Sequence, residues 1–212
     1  MTYRELVYMC LDEIKLSSDD SYITEDHILF LISKYRAFLL KQKYEKTNMP
    51  VAQSNYQLIH PNPYSSEVPD IMTIAKPVVW LVEGPEDQYY TYVPYHRFKF
   101  IGHNKFLAKI QYCTINPENK LVIGSYKERS NTDMNFYAVF EDIVEASLFG
   151  KDESTEILDE VCPIEADLIA GVQELVVKDI LGIAYRPQDK ANNSSDDLGS
   201  VGLAAGNPRN NK

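Results

Sequence analysis

The sequence carries no excess of positive charge, with 21 lysine and arginine residues against 31 aspartate and glutamate residues and a net charge of −10. A protein that binds nucleic acid through its phosphates needs a basic surface, so this balance disfavours a DNA- or RNA-binding function. No apolar run approaches the roughly 18 residues of a membrane helix. The N-terminus has no basic stretch followed by an apolar block, so we expect no secretion signal.

Cysteine and histidine are scarce and scattered. The three cysteines, Cys10, Cys113 and Cys162, are odd in number and far apart, a pattern that fits a reducing cytosol better than a disulfide framework. No histidine has a second histidine or a cysteine at a spacing typical of zinc sites. His27 falls in a predicted helix and His96 in a predicted strand, where packing or interface roles are expected. We therefore expect no metal site.

Catalytic signatures are also missing. The chain has no glycine-rich loop of the P-loop or dinucleotide type and no Gly-x-Ser-x-Gly elbow for acyl transfer. Its paired acids lack the apolar surroundings that raise a carboxyl pKa for acid–base catalysis. Asp189, Asp196 and Asp197 could belong to a calcium loop, but the glycine and the terminal glutamate of an EF-hand are absent. We expect no catalytic residue and no cofactor, and a small hydrolase is the least favoured alternative.

Negative charge is concentrated between residues 141 and 167, where ten acidic residues accompany a single base, Lys151. Charge runs of this kind usually form a solvated face. The alternative is a surface that must not adhere to nucleic acid, because like charges repel DNA over about 8–10 Å at physiological salt. The chain also has fifteen tyrosines, whose amphipathic rings suit protein interfaces.

Helical periodicity is present at the N-terminus and again late in the chain. Thr2 and Glu5 match a capping box that opens a first helix, and a second helix is predicted from about Thr24 to about residue 46. A short polar loop between them predicts an αα-hairpin. A third helix is predicted with Pro163 as its first residue and its end near Gly182. The apolar stripe of the second helix consists of Ile28, Leu31, Ile32, Tyr35, Phe38, Leu39 and Gln42.

The middle of the chain has the patterns of β-strands and turns. A strong turn signal, Asn116-Pro117-Glu118-Asn119, separates two of the strands. Pro94 indicates the edge of a strand or a bulge rather than a central position. We predict strands at 56–60, 77–84, 89–101, 108–115 and 120–126, and at 136–146 either a strand or a strand that enters a helix.

Together these patterns predict an α+β fold with three parts. Residues 1–47 and 162–186, which hold the N-terminal helical hairpin and the late helix, form a helical core. Residues 48–161 form an inserted antiparallel β lobe with an acidic connector, and residues 187–212 form an extended C-terminal arm.

The C-terminal arm is the candidate functional segment. Helical periodicity stops before Pro187, and the asparagine, serine and aspartate side chains that follow can satisfy backbone groups of an extended chain lying on another protein. We expect the arm to be disordered alone and ordered on assembly. The candidate interface residues are Pro187, Asp189, Asn192, Asn193, Asp196, Asp197, Leu198, Val201 and Leu203.

Three stretches, taken in this order, resemble the head-to-tail connector, or ring, proteins of crAss-like phages. They are residues 2–44 (TYRELVYMCLDEIKLSSDDSYITEDHILFLISKYRAFLLKQKY), residues 138–146 (AVFEDIVEA), and residues 162–197, which open with Cys-Pro and end in the run NNSSDD. Such proteins look like members of the adaptor class that docks beneath the portal of short-tailed phages. Most adaptors of this class have a proline within the segment 140–143, where this chain has Ile143.

The resemblance implies a non-enzymatic, structural virion protein. Such proteins form homo-oligomeric rings, commonly of twelve subunits, between the portal and the tail, after assembly in the cytoplasm of the bacterial host. The resemblance also implies the portal protein and adjacent tail ring proteins as partners, DNA only as cargo passing through the channel, and no membrane. Another tail ring or tail-hub component of the same virion is the alternative.

Overall fold

The computed structural model describes residues 1–17, 23–47, 49–84, 88–101, 110–124, 133–151 and 155–184. Within these ranges the helices are α1 (Tyr3–Ser17), α2 (Glu25–Thr47), α3 (Tyr95–Ile101), α4 (Ile143–Leu148) and α5 (Ala166–Ala184). The strands are β1 (Gln57–Ile59), β2 (Thr73–Ile74), β3 (Lys76–Pro77), β4 (Val79–Gly84), β5 (Gln88–Tyr92), β6 (Tyr112–Ile115), β7 (Leu121–Gly124) and β8 (Asn135–Ala138). None of these helices is both long and apolar enough to cross a membrane.

Helices α1 and α2 confirm the predicted αα-hairpin. The N–H of Thr2 donates to Glu5 Oε2 at 2.8 Å, and the N–H of Glu5 donates to Thr2 Oγ1 at 3.2 Å, which is the reciprocal pair of a capping box. Thr24 caps α2, since its Oγ1 accepts from the N–H of His27 at 3.3 Å. Side chains close in sequence therefore set both helix starts, as the sequence predicts.

The predicted apolar stripe of α2 packs with α1 and α5 as far as Leu39, except at Phe38. Phe38 and Gln42, predicted to belong to the stripe, are exposed. Leu40 and Tyr44 are buried instead and pack on Met72 of the β region. These two residues are buried because the later part of the helix also packs on the β region, a neighbour that the periodicity of a single helix does not reveal.

Helix α5 begins at Ala166, later than the predicted start at Pro163. Pro163 stays outside the helix because its carbonyl accepts a hydrogen bond from Arg36 Nε at 2.5 Å. A carbonyl turned toward another element does not accept the N–H of its own next turn. The predicted end near Gly182 agrees with the observed end at Ala184. Helix α5 packs on both α1 and α2, as expected for a helical core.

The β region forms a six-stranded sheet in the order β1-β8-β4-β5-β6-β7, beside a small β2-β3 pair. The α+β class is confirmed, and the neighbouring strands of the sheet are antiparallel except β5 and β6, which are parallel. A parallel pair needs a crossover connection, and the segment between these two strands, which includes α3, provides it. The predicted antiparallel arrangement thus holds for every pair of this sheet but one.

The predicted strand at 89–101 is wrong in its second half. Strand β5 ends before Pro94, whose carbonyl accepts from the N–H groups of Arg97 at 2.9 Å and Phe98 at 3.2 Å and opens α3. Proline has no N–H to extend a strand ladder, and its backbone angle suits a first helical turn. His96 consequently lies in a helix rather than in a strand.

The predicted turn between 108–115 and 120–126 is confirmed as the β6-β7 hairpin. Asn116 Oδ1 accepts from the N–H groups of Glu118 at 3.0 Å and Lys120 at 2.9 Å. Asn119 has a φ of 54°, a left-handed conformation that asparagine tolerates better than most residues.

Residues 136–146 are a strand that enters a helix, one of the two predicted possibilities. Strand β8 leads to Asp142, whose side chain accepts from the N–H groups of Val144 and Glu145 and caps α4. Ile143 is therefore the first residue of α4. Proline is favoured at this position, so the departure from the adaptor pattern fits the same local structure.

Buried apolar side chains form three clusters in the described ranges. One cluster joins α1, α2 and α5, and the second lies against one face of the sheet around Phe136 and Phe140. The third, made of Leu40, Tyr44, Met72 and Val139, lies between α2 and the β region. Packing is thus continuous from the helices to the sheet. The predicted division of the chain into domains stays a prediction.

Candidate assembly interface

The predicted interface residues of the C-terminal arm lie outside the described residues. They are Pro187, Asp189, Asn192, Asn193, Asp196, Asp197, Leu198, Val201 and Leu203, and the description ends at residue 184. The arm therefore stays a prediction, and the surfaces below were not anticipated from the sequence.

The three cysteines are buried free thiols. Burial raises the pKa of Cys10 and of Cys162 to about 12 and raises the pKa of Cys113 as well. All three are therefore protonated at neutral pH, whereas the thiolate is the reactive form of cysteine. Over the described ranges, no group of three or more His, Cys, Asp or Glu side chains is placed to hold a metal ion.

Most described acids of the segment 141–167 pair with bases of the helical core or of the segment itself. The pairs are Lys41–Glu141 at 2.6 Å, Arg4–Glu156 at 2.8 Å, Arg4–Asp159 at 2.7 Å, Lys43–Glu165 at 2.5 Å, Lys43–Asp167 at 2.7 Å, and Lys151–Glu160. Asp142 caps α4. The pairs with Arg4, Lys41 and Lys43 thus connect the segment to α1 and α2. Glu156, Asp159 and Asp167 are still 64%, 77% and 63% exposed, so the segment is also a solvated face.

A buried arginine lies where the helices meet the β region. Arg36, fully buried in α2, donates to three backbone carbonyls: from Nε to Pro163 at 2.5 Å, from Nη1 to Phe140 at 3.1 Å, and from Nη2 to Asn55 at 2.9 Å. Burial lowers the pKa of Arg36 to about 10, so the guanidinium remains charged at neutral pH. One side chain therefore joins three chain segments that are far apart in sequence.

A buried carboxylate lies beside this arginine. Glu165 accepts from Lys43 Nζ, Tyr44 Oη and Asn55 Nδ2, each at 2.5 Å. Asn55 contacts both groups, because its backbone carbonyl accepts from Arg36 and its side-chain amide donates to Glu165. This polar centre is a structural junction that fixes α2, the segment before β1 and the entry to α5 relative to one another.

Helix α2 exposes two phenylalanines on its outer side. Phe30 is 58% exposed and Phe38 is 56% exposed. Both border a groove of about 590 Å³, with the small side chain of Ala37 also in its lining. A second groove, of about 260 Å³, also borders Phe30. We call the larger one the α2 groove.

The α2 groove is acidic along the wall that faces α2. Asp70, Glu141, Asp142 and Glu145 line this wall, and Lys34 and Lys41 line the α2 side of the groove. Partial burial raises the pKa of Glu145, and the neighbouring charges of Asp142 and Asp70 raise it further. Like charges thus lie close together beside an exposed apolar surface.

The sheet exposes a second aromatic surface, which consists of tryptophan and tyrosine rings rather than phenylalanines. Trp80, which is 54% exposed, lies at a β-bulge of β4, and bulges redirect side chains. Its ring packs on Tyr56 at 5.5 Å and on Tyr137 at 6.2 Å between ring centroids. Leu58 is paired with Tyr137 across the strands and is also exposed.

Helix α3 is a third exposed element, with aromatic and basic side chains. It rests on β7 through Phe98, because a Cβ atom at Gly124 would lie only 2.9 Å from Phe98 Cζ. Its other large side chains point away from the sheet and are exposed: Tyr95, His96, Arg97, Lys99 and Phe100, the last being 74% exposed. The aromatic pattern of this segment predicts a strand, so the sequence does not reveal this surface.

Comparison with known proteins gives these surfaces a context. Residues 5–198 of the chain match the family described as phage tail ring protein 2. The chain belongs to this family. Ring protein 2 of Bacteroides phage crAss001 is 40% identical over 222 aligned positions, which cover 93% of this chain and 98% of the relative. The resemblance to crAss-like ring proteins is thereby confirmed.

This tail ring protein is a structural, ring-type component of a virion. Its surfaces are accordingly expected to contact other virion components. The family match includes the arm as far as Leu198 and leaves Val201 and Leu203 beyond it.

Proposed function

We propose that the protein is one subunit of a homo-oligomeric, non-enzymatic ring of twelve copies that connects the phage portal to the tail and forms part of the DNA conduit. The observation that carries this proposal is the presence of distinct exposed surfaces on one chain of a tail ring family: the α2 groove with its phenylalanines, the Trp80 surface and α3.

Distinct surfaces suit a ring for a geometric reason. In a ring with head-to-tail contacts, each subunit presents one surface to the neighbour on one side and a different surface to the neighbour on the other. Exposed apolar groups that remain after folding mark such contacts. A ring subunit of a connector also needs surfaces for the rings above and below, which the Trp80 surface and the C-terminal arm would provide.

The partners follow from this position in the virion. They are further copies of the chain, the portal protein and adjacent tail ring proteins. The ring lies at the portal vertex of the virion, and the virion is assembled in the cytoplasm of the bacterial host. DNA passes through without specific binding, which is consistent with the net charge of −10.

A position further along the tail is the second candidate. The family description names the tail and a ring and does not name the portal, which favours another tail ring or tail-hub component of the same virion. Cryo-electron microscopy of particles in which this chain carries a label distinguishes the two positions by the distance of the label from the portal.

The proposed connector role is tested by mixing the purified chain with portal rings of the same phage and imaging the products. We expect a ring of this chain, with twelve copies, stacked on one end of the portal, because portal and connector are proposed to share an axis. Native mass spectrometry of the same mixture counts the copies. A chain that stays monomeric both alone and with the portal would contradict the proposal.

A further inference from the structure

Helix α3 and the α2 groove have complementary charge. Arg97 and Lys99 make no ion pair within the described part of the chain, and the Lys99 ammonium lies 5.8 Å from the centre of the Tyr95 ring. The segment from Gln88 to Ile101 contains no acidic residue. The α2 groove, by contrast, has Asp70 and Glu145 without an ion-pair partner among the described residues. The two lysines in its lining are already paired, Lys34 with Asp179 and Lys41 with Glu141, so the unpaired charge of the groove is negative.

The two surfaces also match in size and in apolar content. Helix α3 has seven residues, so it is about 10 Å long. Phe30 and Phe38 are two turns apart on α2, a separation of about 12 Å along the helix axis. Phe100 lies nearly opposite Phe98 on α3, with Arg97 and Lys99 on its two sides, so it would meet these phenylalanines, and aromatic rings gain from such contacts.

Helix α3 does not occupy the groove of its own chain. The residues that line the α2 groove come from α2, the segment before β2, and the start of α4. In its own chain α3 contacts β6 and rests on Gly124 of β7. Within the described ranges, no other segment lines the groove, so these residues leave room for an α3 from another copy.

We propose that α3 of one copy docks in the α2 groove of the next copy, with Arg97 and Lys99 facing Asp70 and Glu145. This contact joins two different surfaces of identical chains and can close into a ring. The inference rests on the proposed homo-oligomeric ring and specifies which surfaces form it. Like-charge contacts disfavour wrong partners, so the same charges would also set the direction in which copies join.

The experiment uses charge reversal and its rescue. The first variant carries Arg97→Glu and Lys99→Glu, and the second carries Asp70→Lys and Glu145→Lys. Each variant alone places like charges in the contact, so we expect the concentration for half-assembly to rise at least about tenfold, measured by sedimentation velocity on the free chain and on portal rings. An equimolar mixture of the two variants, and a chain with all four changes, should both assemble again.

Two controls separate this effect from damage to the fold. Lys15→Glu with Lys46→Glu makes the same change in net charge as the first variant, on exposed lysines of α1 and α2, and should leave assembly unchanged. Gly124→Ala disturbs the seat of α3 without changing its charge, because the new Cβ would lie 2.9 Å from Phe98 Cζ and the ring must shift, and it should weaken assembly. The matched control is Gly182→Ala, whose new Cβ has no heavy atom within 4 Å, and it should leave assembly unchanged.

The possible outcomes lead to different conclusions. Restored assembly in the mixture supports the contact. If either variant alone assembles like the wild type, the contact is wrong and the proposed ring is unaffected. The same holds if the groove variant forms rings by itself but no longer binds the portal, because the groove would then be the portal-binding surface. A wild-type chain that never assembles, alone or on the portal, overturns the proposed function together with this contact.

Discussion

At the scale of single residues, Arg36 occupies a place where an apolar side chain is expected. It continues the row Ile28, Ile32, Arg36, Leu40 and Tyr44, whose members are four positions apart and all buried. The row is visible in the sequence, and an arginine inside it is the signal that could have revealed the junction. The guanidinium is suited to this place because its planar set of donors reaches three carbonyls at once.

Replacing Arg36 tests this role. In Arg36→Met the carbonyls of Pro163, Phe140 and Asn55 stay buried without their donor, so we expect a loss of about 3–5 kcal/mol in the free energy of unfolding. Arg36→Lys keeps the charge, but its single ammonium group cannot reach all three carbonyls, so we expect a smaller loss in the free energy of unfolding. Urea denaturation measures both. The control is Lys34→Met at an exposed position of the same helix, and an Arg36→Met protein as stable as that control would show that the junction contributes little.

At the scale of elements, the sequence predicts those that are set locally. The signals for α1 and α2 are local: a capping box of Thr2 and Glu5 opens α1, and the acids of the first turn and the apolar periodicity predict α2. The start of α5 was misplaced because the carbonyl of Pro163 is held by Arg36, 127 positions away. Helix α3 was taken for a strand because aromatic residues favour strands, and its support is Gly124 of a distant strand.

The candidate interface likewise has one part that the sequence predicts and other parts that only the fold reveals. The arm could be proposed from the sequence because a loss of periodicity is a local property. The α2 groove could not, because its walls come from α2, from Asp70 and from the residues around Glu141, which only the fold brings together. The Trp80 surface depends on a bulge in the pairing of β4 with β8, and the sequence of β4 alone does not specify that register.

The acidic segment 141–167 gives a prediction about pH. Hydrogen bonds from Arg4 to Asp159 and from Lys43 to Asp167 lower the pKa of both carboxyl groups. A lowered pKa means that the ionised form stabilises the fold above the unfolded value of about 3.9, and that this contribution disappears as the pH falls through the lower folded pKa. We therefore expect the wild type to lose stability below about pH 4 more steeply than an Asp159→Asn and Asp167→Asn variant, in urea denaturation from pH 7 to pH 3.

Glu145 serves as the internal control for that experiment. Its pKa is raised, first by burial and then by the charges of Asp142 and Asp70, so its ionised form costs stability at neutral pH and protonation removes the cost. Glu145→Gln should therefore stabilise the protein at pH 7, and its free energy of unfolding should still fall as the pH is lowered below about 4. Equal acid slopes in the wild type and the double asparagine variant would mean that the ion pairs do not hold the segment.

At the scale of the whole molecule, rigidity and exposure are placed in different regions. The Arg36 and Glu165 junction ties helices and β region together, whereas α3, the outer side of α2 and the Trp80 surface remain exposed. A ring subunit needs both properties, because contacts on opposite sides close a ring only when the angle between them is fixed. The junction thus supplies the rigid frame on which the proposed contacts depend.

The C-terminal arm gives the last prediction. Deleting residues 187–212 should leave thermal unfolding of the core unchanged, because the described apolar clusters draw their members from Tyr3 to Leu181. Assembly on the portal should weaken, because the arm is proposed to pack on neighbouring subunits or on the portal. Leu198, Val201 and Leu203 are the larger aliphatic residues of the arm, and replacing each with Asp should weaken docking by about 1–3 kcal/mol if it fills a pocket.

A shorter deletion, of residues 204–212, is the matched control, since it keeps every candidate interface residue of the arm and should assemble as the full chain does. Thermal unfolding and portal binding by mass photometry are measured on the same samples. A loss of core stability in the longer deletion would mean that the arm belongs to the fold. Full portal binding by that deletion would instead assign the contacts to the described surfaces, the α2 groove, α3 and the Trp80 surface, because nothing else of the proposed interface would remain.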